Sequence, residues 1–161
     1  YSKFKFYRPE PIDFDMKDSK GKCVLSVLCD MKLKYLKKQK KSKIGFVFNL
    51  DPHDEPGSHW VALYVDIDKS HIYYFDSYGF MPEDEIRILI NRFYDELKDI
   101  NSKCIIEINR KRHQFKNSEC GVYCIYFIAT MLTQNISFSR FCKMKLNDDY
   151  IFSKRKEFFV N

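Results

Sequence analysis

One apolar segment of helical length, CGVYCIYFIATML, begins abruptly at Cys120 after the polar run QFKNSE. Its side chains are apolar on nearly every side of a helix, so burying a single stripe does not remove them from water. A helix of this kind has to lie centrally, between other layers of secondary structure. A chain of 161 residues that is 45% hydrophobic is long enough to supply those layers, and we expect a single domain spanning residues 1–161.

Several short segments have the composition of strands and are interspersed with helical patterns. The predicted strands are IGFVFNL, HWVALYVDI, HIYYFDSYG and CIIEI, with a further strand or surface arm over residues 1–7. The predicted helices run from about Lys22 to Lys38, from Pro82 to about Asp99, from Cys120 onward, and over FSRFCKMKL and DDYIFSKRKEFF. Strands bracketed by helices without strict alternation predict an α+β fold with a central mixed β-sheet flanked by helices.

Two polar residues stand where predicted strands meet their loops. His59 opens the strand in GSHWVALYV, and Asp76 interrupts the apolar, aromatic run in IYYFDSYG. A carboxylate buried without a partner is costly, and an imidazole on a neighbouring strand relieves that cost. We therefore predict that His59 and Asp76 face each other across adjacent strands.

The start of the apolar helix is suited to a reactive thiol. Free backbone N–H groups and the helix dipole lower the pKa of a cysteine placed there, as Cys120 is, and Gly121 allows another backbone to approach closely. Gln114, six positions earlier, offers an amide donor near the same point. Thiol acyl transfer needs a thiolate, an imidazole base, a carboxylate that orients the base and a donor for the oxyanion. The candidate catalytic residues are Cys120, His59, Asp76 and Gln114.

Each of these residues also has an ordinary structural explanation. A cysteine at a helix start is commonly a core residue, and a histidine at a strand start is commonly a surface residue. His53, His71 and His113 are rival bases, and all three are predicted to be solvent-exposed. The acidic and histidine residues of DPHDEPGSH lack a spacing that would bring them together around a metal, so we expect neither a metal nor a cofactor.

The 6 cysteines show no paired CxxC zinc pattern, and an apolar core of this size does not need a disulfide framework. We therefore predict reduced thiols and a reducing compartment. No apolar run approaches the roughly 20 residues that span a bilayer. No signal segment is visible either, so we expect no membrane partner and no secretion.

The net charge is +6, and much of the excess lies in KLKYLKKQKKSK and NRKRH. A solvated helix face and a loop are one explanation. The other is a patch in which Lys37, Lys38, Lys40 and Lys41 bind nucleic-acid phosphates without sequence preference.

The order and spacing of three blocks, GSHW, FDSYG and Q-x5-CGVY, resemble the adenain-like and ubiquitin-like-protein (SUMO) protease clan of cysteine peptidases. The resemblance covers roughly residues 44–132. Within the clan, NLDPHDEPGSHWVAL and KNSECGVYC are most similar to maturation proteases of large DNA viruses and virophages. This resemblance implies a papain-like cysteine protease core with the nucleophile at the N-terminus of a buried helix.

By this resemblance, Cys120 is the nucleophile, His59 the general base and Asp76 its orienting partner. Gln114 would share the oxyanion with the Cys120 backbone N–H. Trp60 and Gly121 would line a narrow cleft that accepts small substrate residues. SUMO-specific members usually carry a second Trp on the opposite wall, whereas this chain has 1 Trp, and Phe6 or Tyr7 is the candidate for that wall.

These features together predict a monomeric thiol endopeptidase that cleaves after glycine in viral capsid and virion precursor proteins. It would act in the virion or in the host cytoplasm or nucleus, with DNA as a non-specific second partner. Three alternatives stay open: a SUMO or ubiquitin-like isopeptidase of a virus or bacterial effector, an acetyltransferase of the same geometry, and a catalytically silent binding module.

Overall fold

The computed structural model describes residues 1–159, which form one mixed β-sheet with helices on both faces. The strands are β1 (Phe4–Phe6), β2 (Glu10–Pro11), β3 (Lys43–Asn49), β4 (Trp60–Asp66), β5 (His71–Phe75) and β6 (Ile105–Ile108). The helices are α1 (Leu33–Lys38), α2 (Asp84–Ile100), α3 (Cys120–Thr133), α4 (Phe138–Lys143) and α5 (Asp148–Phe158). Among these residues, no helix is both long and apolar enough to cross a membrane.

The strands lie in the order β1–β3–β4–β5–β6, and β2 also pairs with β3. The three central strands β3, β4 and β5 are antiparallel neighbours, whereas β1 and β2 run parallel to β3, and β6 runs parallel to β5. The central strands are buried on both faces, which explains why their sequences are continuously apolar instead of alternating. The predicted α+β fold with a central mixed sheet is confirmed.

Each face of the sheet carries its own hydrophobic core. On one face, α2 packs Ile86, Leu89 and Phe93 against a group of strand residues that includes Phe46 and Phe48. On the other face, α3, α4 and α5 cover the sheet. α3 is buried on most sides, as its composition predicts, and Cys120 is its first residue.

The predicted helix from Lys22 to Lys38 is wrong over most of its length. Only α1 is α-helical, and it follows a separate 3-10 turn at Val27–Cys29 that is capped by the Ser26 side chain. Cys23 and Cys29 are joined by a disulfide with a Cα–Cα distance of 5.8 Å. A continuous helix would hold two residues six positions apart about 9 Å from each other along its axis, so the disulfide and that helix are incompatible.

The prediction of six reduced thiols is likewise wrong for Cys23 and Cys29. Their segment is anchored to α2 by the Arg92 guanidinium, which donates to the backbone carbonyls of Leu28 and Cys29. Cys104, Cys120, Cys124 and Cys142 are free thiols. The expected reducing compartment stays a prediction.

Candidate active site

Three chain segments meet at one edge of the sheet. His59 directly precedes β4, and Asp76 directly follows β5. Because these two strands are antiparallel, the start of one lies beside the end of the other, with Ala62 opposite Phe75 near that edge. The helix α3 packs against one face of the sheet and begins near this edge, with Cys120 as its first residue.

The predicted pairing of His59 and Asp76 is present. His59 Nε2 lies 2.8 Å from Asp76 Oδ1, and the carboxylate is only 1% exposed. The same oxygen accepts the backbone N–H of Tyr78 at 2.7 Å. Asp76 is therefore held in one orientation, and the bond to His59 Nε2 leaves the other ring nitrogen, Nδ1, for a second partner.

Cys120 interacts with the same imidazole, and the two groups shift each other's pKa. Burial by itself would lower the pKa of His59, but hydrogen bonds with Asp76 and Cys120 outweigh it and raise the pKa to about 9. Burial by itself would raise the pKa of Cys120, but hydrogen bonds to His59 and to the backbone at Trp60 and Gly121 lower it below its ordinary value. Both shifts favour a thiolate facing an imidazolium.

The pKa values of the other free cysteines are shifted in the opposite direction. Burial raises the pKa of Cys142 to about 12, raises that of Cys104, and raises that of Cys124 well above its ordinary range. The thiolate is the nucleophilic form of cysteine. Among the four free thiols, only Cys120 therefore has a lowered pKa that favours the nucleophilic thiolate.

Gln114 is fully buried beside this site. Its Oε1 accepts from the Ser77 hydroxyl at 2.6 Å, and its Nε2 donates to the Lys116 carbonyl at 2.6 Å. An amide nitrogen has two hydrogens, and the bond to Lys116 uses one of them. The predicted oxyanion role fits this position but remains a prediction.

Sequence reasoning missed two residues that hold the site together. Asn109 is buried, and its Nδ2 donates to the Asp76 carbonyl at 2.7 Å and to the Lys111 carbonyl at 2.8 Å. Asp148 Oδ2 accepts the backbone N–H groups of Phe115 and Lys116 at 2.9 and 3.0 Å. These contacts fix the loop that carries Gln114. Asn109 ends the strand pattern of CIIEIN, a signal that could have indicated it, whereas Asp148 looks like an ordinary acidic helix start.

Trp60 and Gly121 lie together at the predicted cleft. A Cβ added at Gly121 would come within 3.9 Å of the Trp60 ring, so the two residues form adjoining walls. They line an apolar cavity of about 420 Å³ with Phe6, Pro9, Val47, Ile125 and Phe159. Phe6 is thus one of the aromatic residues of this cavity, as predicted. Tyr7 is not, because it stacks on Phe46 in the core at a centroid distance of 5.3 Å.

The three rival histidines lie outside the site, but the solvent exposure predicted for two of them is wrong. His53 is exposed as predicted and pairs with Asp13 at 2.6 Å. His71 is the half-buried first residue of β5, where its Nδ1 lies 2.6 Å from the Tyr73 hydroxyl.

His113 is fully buried instead of exposed. Its backbone N–H and that of Gln114 both bond to the Ser77 carbonyl, which draws the loop inward onto Phe75. Burial lowers the pKa of His113 to about 4. Over residues 1–159, no group of three or more His, Cys, Asp or Glu side chains is placed to hold a metal ion.

The four basic candidates lie at the end of α1, away from the site described above. Lys37, Lys38 and Lys40 are exposed. Lys41 is half-buried, and its Nζ donates to the Ser2 carbonyl at 2.7 Å. Lys41 therefore anchors the N-terminal segment, which differs from the free phosphate contact predicted for it.

Known proteins are similar to this chain in sequence and in fold. The family described as YopJ Serine/Threonine acetyltransferase matches residues 19–155. "Putative thiol protease R355" of Acanthamoeba polyphaga mimivirus is 33% identical over 162 residues, which is 100% of this chain and 51% of that protein. "Cysteine protease S273R" of African swine fever virus is 31% identical over 118 residues, which is 71% of this chain and 43% of that protein. The crystal structure of the African swine fever virus pS273R protease matches with a TM-score of 0.80 at 22% identity, covering 96% of this chain and 60% of that one.

This chain spans about half the length of the two relatives. The family description names an acetyltransferase, whereas the relatives are named as proteases. The two names are chemically compatible, because both reactions transfer an acyl group through an activated nucleophile. The matched family covers most of the chain, and the fold is that of the S273R protease. The chain therefore belongs to the family described as YopJ Serine/Threonine acetyltransferase, and it is similar in sequence and fold to viral thiol and cysteine proteases.

Proposed function

We propose that this chain is a thiol endopeptidase that cleaves after glycine in virion precursor proteins. The observation that carries the proposal is the linked arrangement of Cys120, His59 and Asp76. In it, the pKa of the thiol is lowered and the pKa of the imidazole is raised to about 9. The protease names of relatives that share 33% and 31% of their aligned residues with this chain support the same reaction class.

The geometry supports a two-step acyl transfer. The Cys120 thiolate attacks the substrate carbonyl, and the His59 imidazolium gives its proton to the leaving amine as the C–N bond breaks. Water then attacks the thioester, with His59 as the base, and releases the acid and the thiolate. The N–H of Cys120 and the Gln114 amide would hold the oxyanion, and Asp76 would keep the imidazole oriented.

Glycine specificity follows from the walls around the thiol. A Cβ added at Gly121 would lie 3.9 Å from the Trp60 ring, and both residues line the apolar cavity next to Cys120. A glycine backbone passes such walls, whereas a Cβ would clash with the indole or with the helix start. A peptide library should therefore select glycine at the residue that donates the carbonyl, and a bulky or charged preference there would refute this part of the proposal.

Deconjugation of a ubiquitin-like protein is the second candidate function. It is favoured by relatives 30% identical to this chain that are named "SUMO-1 cysteine protease S273R". The two functions share the chemistry but differ in whether a folded partner has to be gripped. Only the deconjugase should react faster with a whole ubiquitin-like protein than with its C-terminal peptide.

One experiment separates these readings. The protein is incubated in parallel with thiol-reactive SUMO and ubiquitin probes, with Gly-Gly peptides, and with acetyl-coenzyme A plus a serine-containing peptide. Cys120→Ala serves as the control in every arm. Cleavage of peptides at least as fast as reaction with the folded probes supports the maturation protease. Faster reaction of a folded probe supports the deconjugase, and acetylated peptide without cleavage supports the transferase.

We further propose that DNA is a non-specific partner of the α1 end, with the protein acting as a monomer inside an assembling particle. Lys37, Lys38 and Lys40 project into solvent and can release counterions from a phosphate backbone. Because Lys41 is engaged with Ser2, it is left unchanged in the test. Changing the three exposed lysines to Glu should abolish anisotropy-detected binding of labelled duplex in low salt, and wild-type binding should weaken steeply as salt rises. Equal binding by the variant would leave these lysines as an ordinary solvated surface.

A further inference from the structure

A stack of aromatic and cationic side chains extends outward from His59. The His59 ring lies on the Tyr78 ring, with centroids 4.6 Å apart and planes at 22°. The Arg112 guanidinium covers Tyr78 at 5.3 Å and also lies over the Phe115 ring at 5.0 Å. Phe80 extends the stack sideways, 5.9 Å from Tyr78. We call Tyr78, Phe80, Arg112 and Phe115 the aromatic ledge.

Hydrogen bonds connect the aromatic ledge to the site residues. The Tyr78 backbone N–H donates to Asp76, and Arg112 Nε donates to the Gln114 carbonyl at 2.8 Å. Gly79 has φ +79°, and a Cβ added there would come within 2.8 Å of the Lys111 backbone. Only glycine therefore lets the two loops of the ledge approach this closely. A surface anchored in this way is preorganised for binding.

The ledge lies on the opposite side of the thiol from the Trp60 cavity. That cavity is formed on the β1–β3 side of β4, by residues such as Phe6 and Val47. The ledge comes from the loops that follow β5 and β6, on the other side of β4. A polypeptide that crosses Cys120 along the sheet edge therefore meets the cavity with one half and the ledge with the other.

The ledge leaves large apolar side chains in water. Phe115 is 69% exposed and Phe80 is 65% exposed. Arg110 and Lys111 are exposed beside them, so the apolar surface is positive on that side, whereas Asp149 near Phe115 is paired with Lys116 at 2.6 Å. An apolar surface of this kind next to a reactive thiol, with charge at its rim, is suited to an extended peptide that carries apolar and acidic side chains.

We propose that the aromatic ledge binds the leaving-group half of the substrate. It selects a large apolar side chain at the second or third residue after the scissile bond, followed by acidic rather than basic residues. Two ring-to-ring steps separate His59 from Phe80, and this path matches about three residues of extended chain at roughly 3.3 Å each. The assignment rests on the proposed function, in which the Trp60 side holds the glycine.

The test measures how the acyl-enzyme is divided between water and an added peptide amine. A Gly-Gly peptide ester first forms the thioester on Cys120. The added amine then attacks the thioester carbon, so that a C–N bond forms, the C–S bond breaks, the thiolate leaves and the amine proton passes to His59. Mass spectrometry gives the ratio of peptide product to acid product. This ratio depends on the leaving-group side alone, because acylation is already complete.

Three amines are compared: Ala-Phe-Phe-Glu amide, Ala-Ala-Ala-Glu amide and Ala-Phe-Phe-Lys amide. The first should give the highest ratio in the wild type. Phe80→Ala and Phe115→Ala should each lower that ratio about fivefold while leaving the ratio for Ala-Ala-Ala-Glu amide unchanged. Ile88→Ala is the matched control, because Ile88 is 59% exposed on α2, which packs on the other face of the sheet.

Equal ratios for the three amines, or ratios that Phe80→Ala and Phe115→Ala do not change, would overturn the ledge assignment while leaving the protease intact. Failure of the wild type to form any acyl-enzyme is a different result, since it would remove the proposed function and the ledge assignment together. Both alanine variants should keep the wild-type melting temperature, because their side chains are exposed, and a drop would show that they act through folding.

Discussion

Replacing Asp76 with asparagine removes the charge that keeps His59 protonated. In the native site, burial opposes the charged imidazole, and the hydrogen bond to Asp76 is the largest influence that restores it, giving a pKa of about 9. Without the carboxylate, we expect the pKa to fall to the ordinary 6.5 or below. Such a fall is equivalent to about 3.5 kcal/mol at ~1.4 kcal/mol per pKa unit. If that energy stabilises the transition state, kcat/KM falls about 300-fold.

The same change should be visible in the thiol itself. With a neutral His59, the Cys120 thiolate loses its main stabilising partner and its pKa rises. The rate of inactivation by iodoacetamide, measured from pH 5.5 to 10, should therefore show the thiolate appearing at a higher pH in Asp76→Asn than in wild type. Asp99→Asn, at an exposed position on α2, is the matched control, and Cys120→Ala reports background alkylation.

The sign of the stability effect also follows from the raised pKa of His59. A group whose pKa is higher in the folded state adds stability that is fully present below pH 6.5 and disappears as pH rises through about 9. Urea unfolding should show the destabilisation by Asp76→Asn greatest below pH 6.5 and smaller above pH 9. An unchanged alkylation profile, or a loss of kcat/KM smaller than tenfold, would refute the reasoning.

Five further substitutions test other parts of the structure. Cys120→Ala should abolish peptide cleavage while the circular dichroism spectrum stays native, whereas Cys142→Ala should retain full activity because burial keeps that thiol protonated. Gln114→Ala should lower kcat about 10²-fold with little change in KM, and a change confined to KM would show a role in substrate binding. Gly79→Ala should lower stability by about 1–3 kcal/mol in urea unfolding, because φ +79° and the nearby Lys111 backbone strain any Cβ. His113→Phe should make the fold less sensitive to acid: the pKa of His113 is lowered to about 4, so wild-type stability falls as pH drops below 6.5, and the variant should lack that part of the loss.

The sequence by itself predicted the layers of the fold and the pairing of His59 with Asp76. Continuous apolar strands and a helix that is apolar on nearly every side have few solutions other than a sheet covered on both faces. Asp76 was identifiable because a carboxylate in a buried run needs a partner. His59 was identifiable as that partner because its strand directly precedes the strand of Asp76 in the chain. In each case the decisive contact joins neighbouring elements, so local pattern carries the information.

Tertiary structure decided the features that depend on contacts between distant segments. The helical pattern from Lys22 to Lys38 is interrupted because the Cys23–Cys29 disulfide brings these residues closer than a helix allows. His113 is buried because its loop is hydrogen-bonded to Ser77, which follows a different strand. The aromatic ledge exists because Gly79 lets two loops, separated by all of α2 and β6, approach to contact distance. Backbone hydrogen bonds and close approaches of this kind leave no periodic signal in the chain, so only the folded arrangement reveals them.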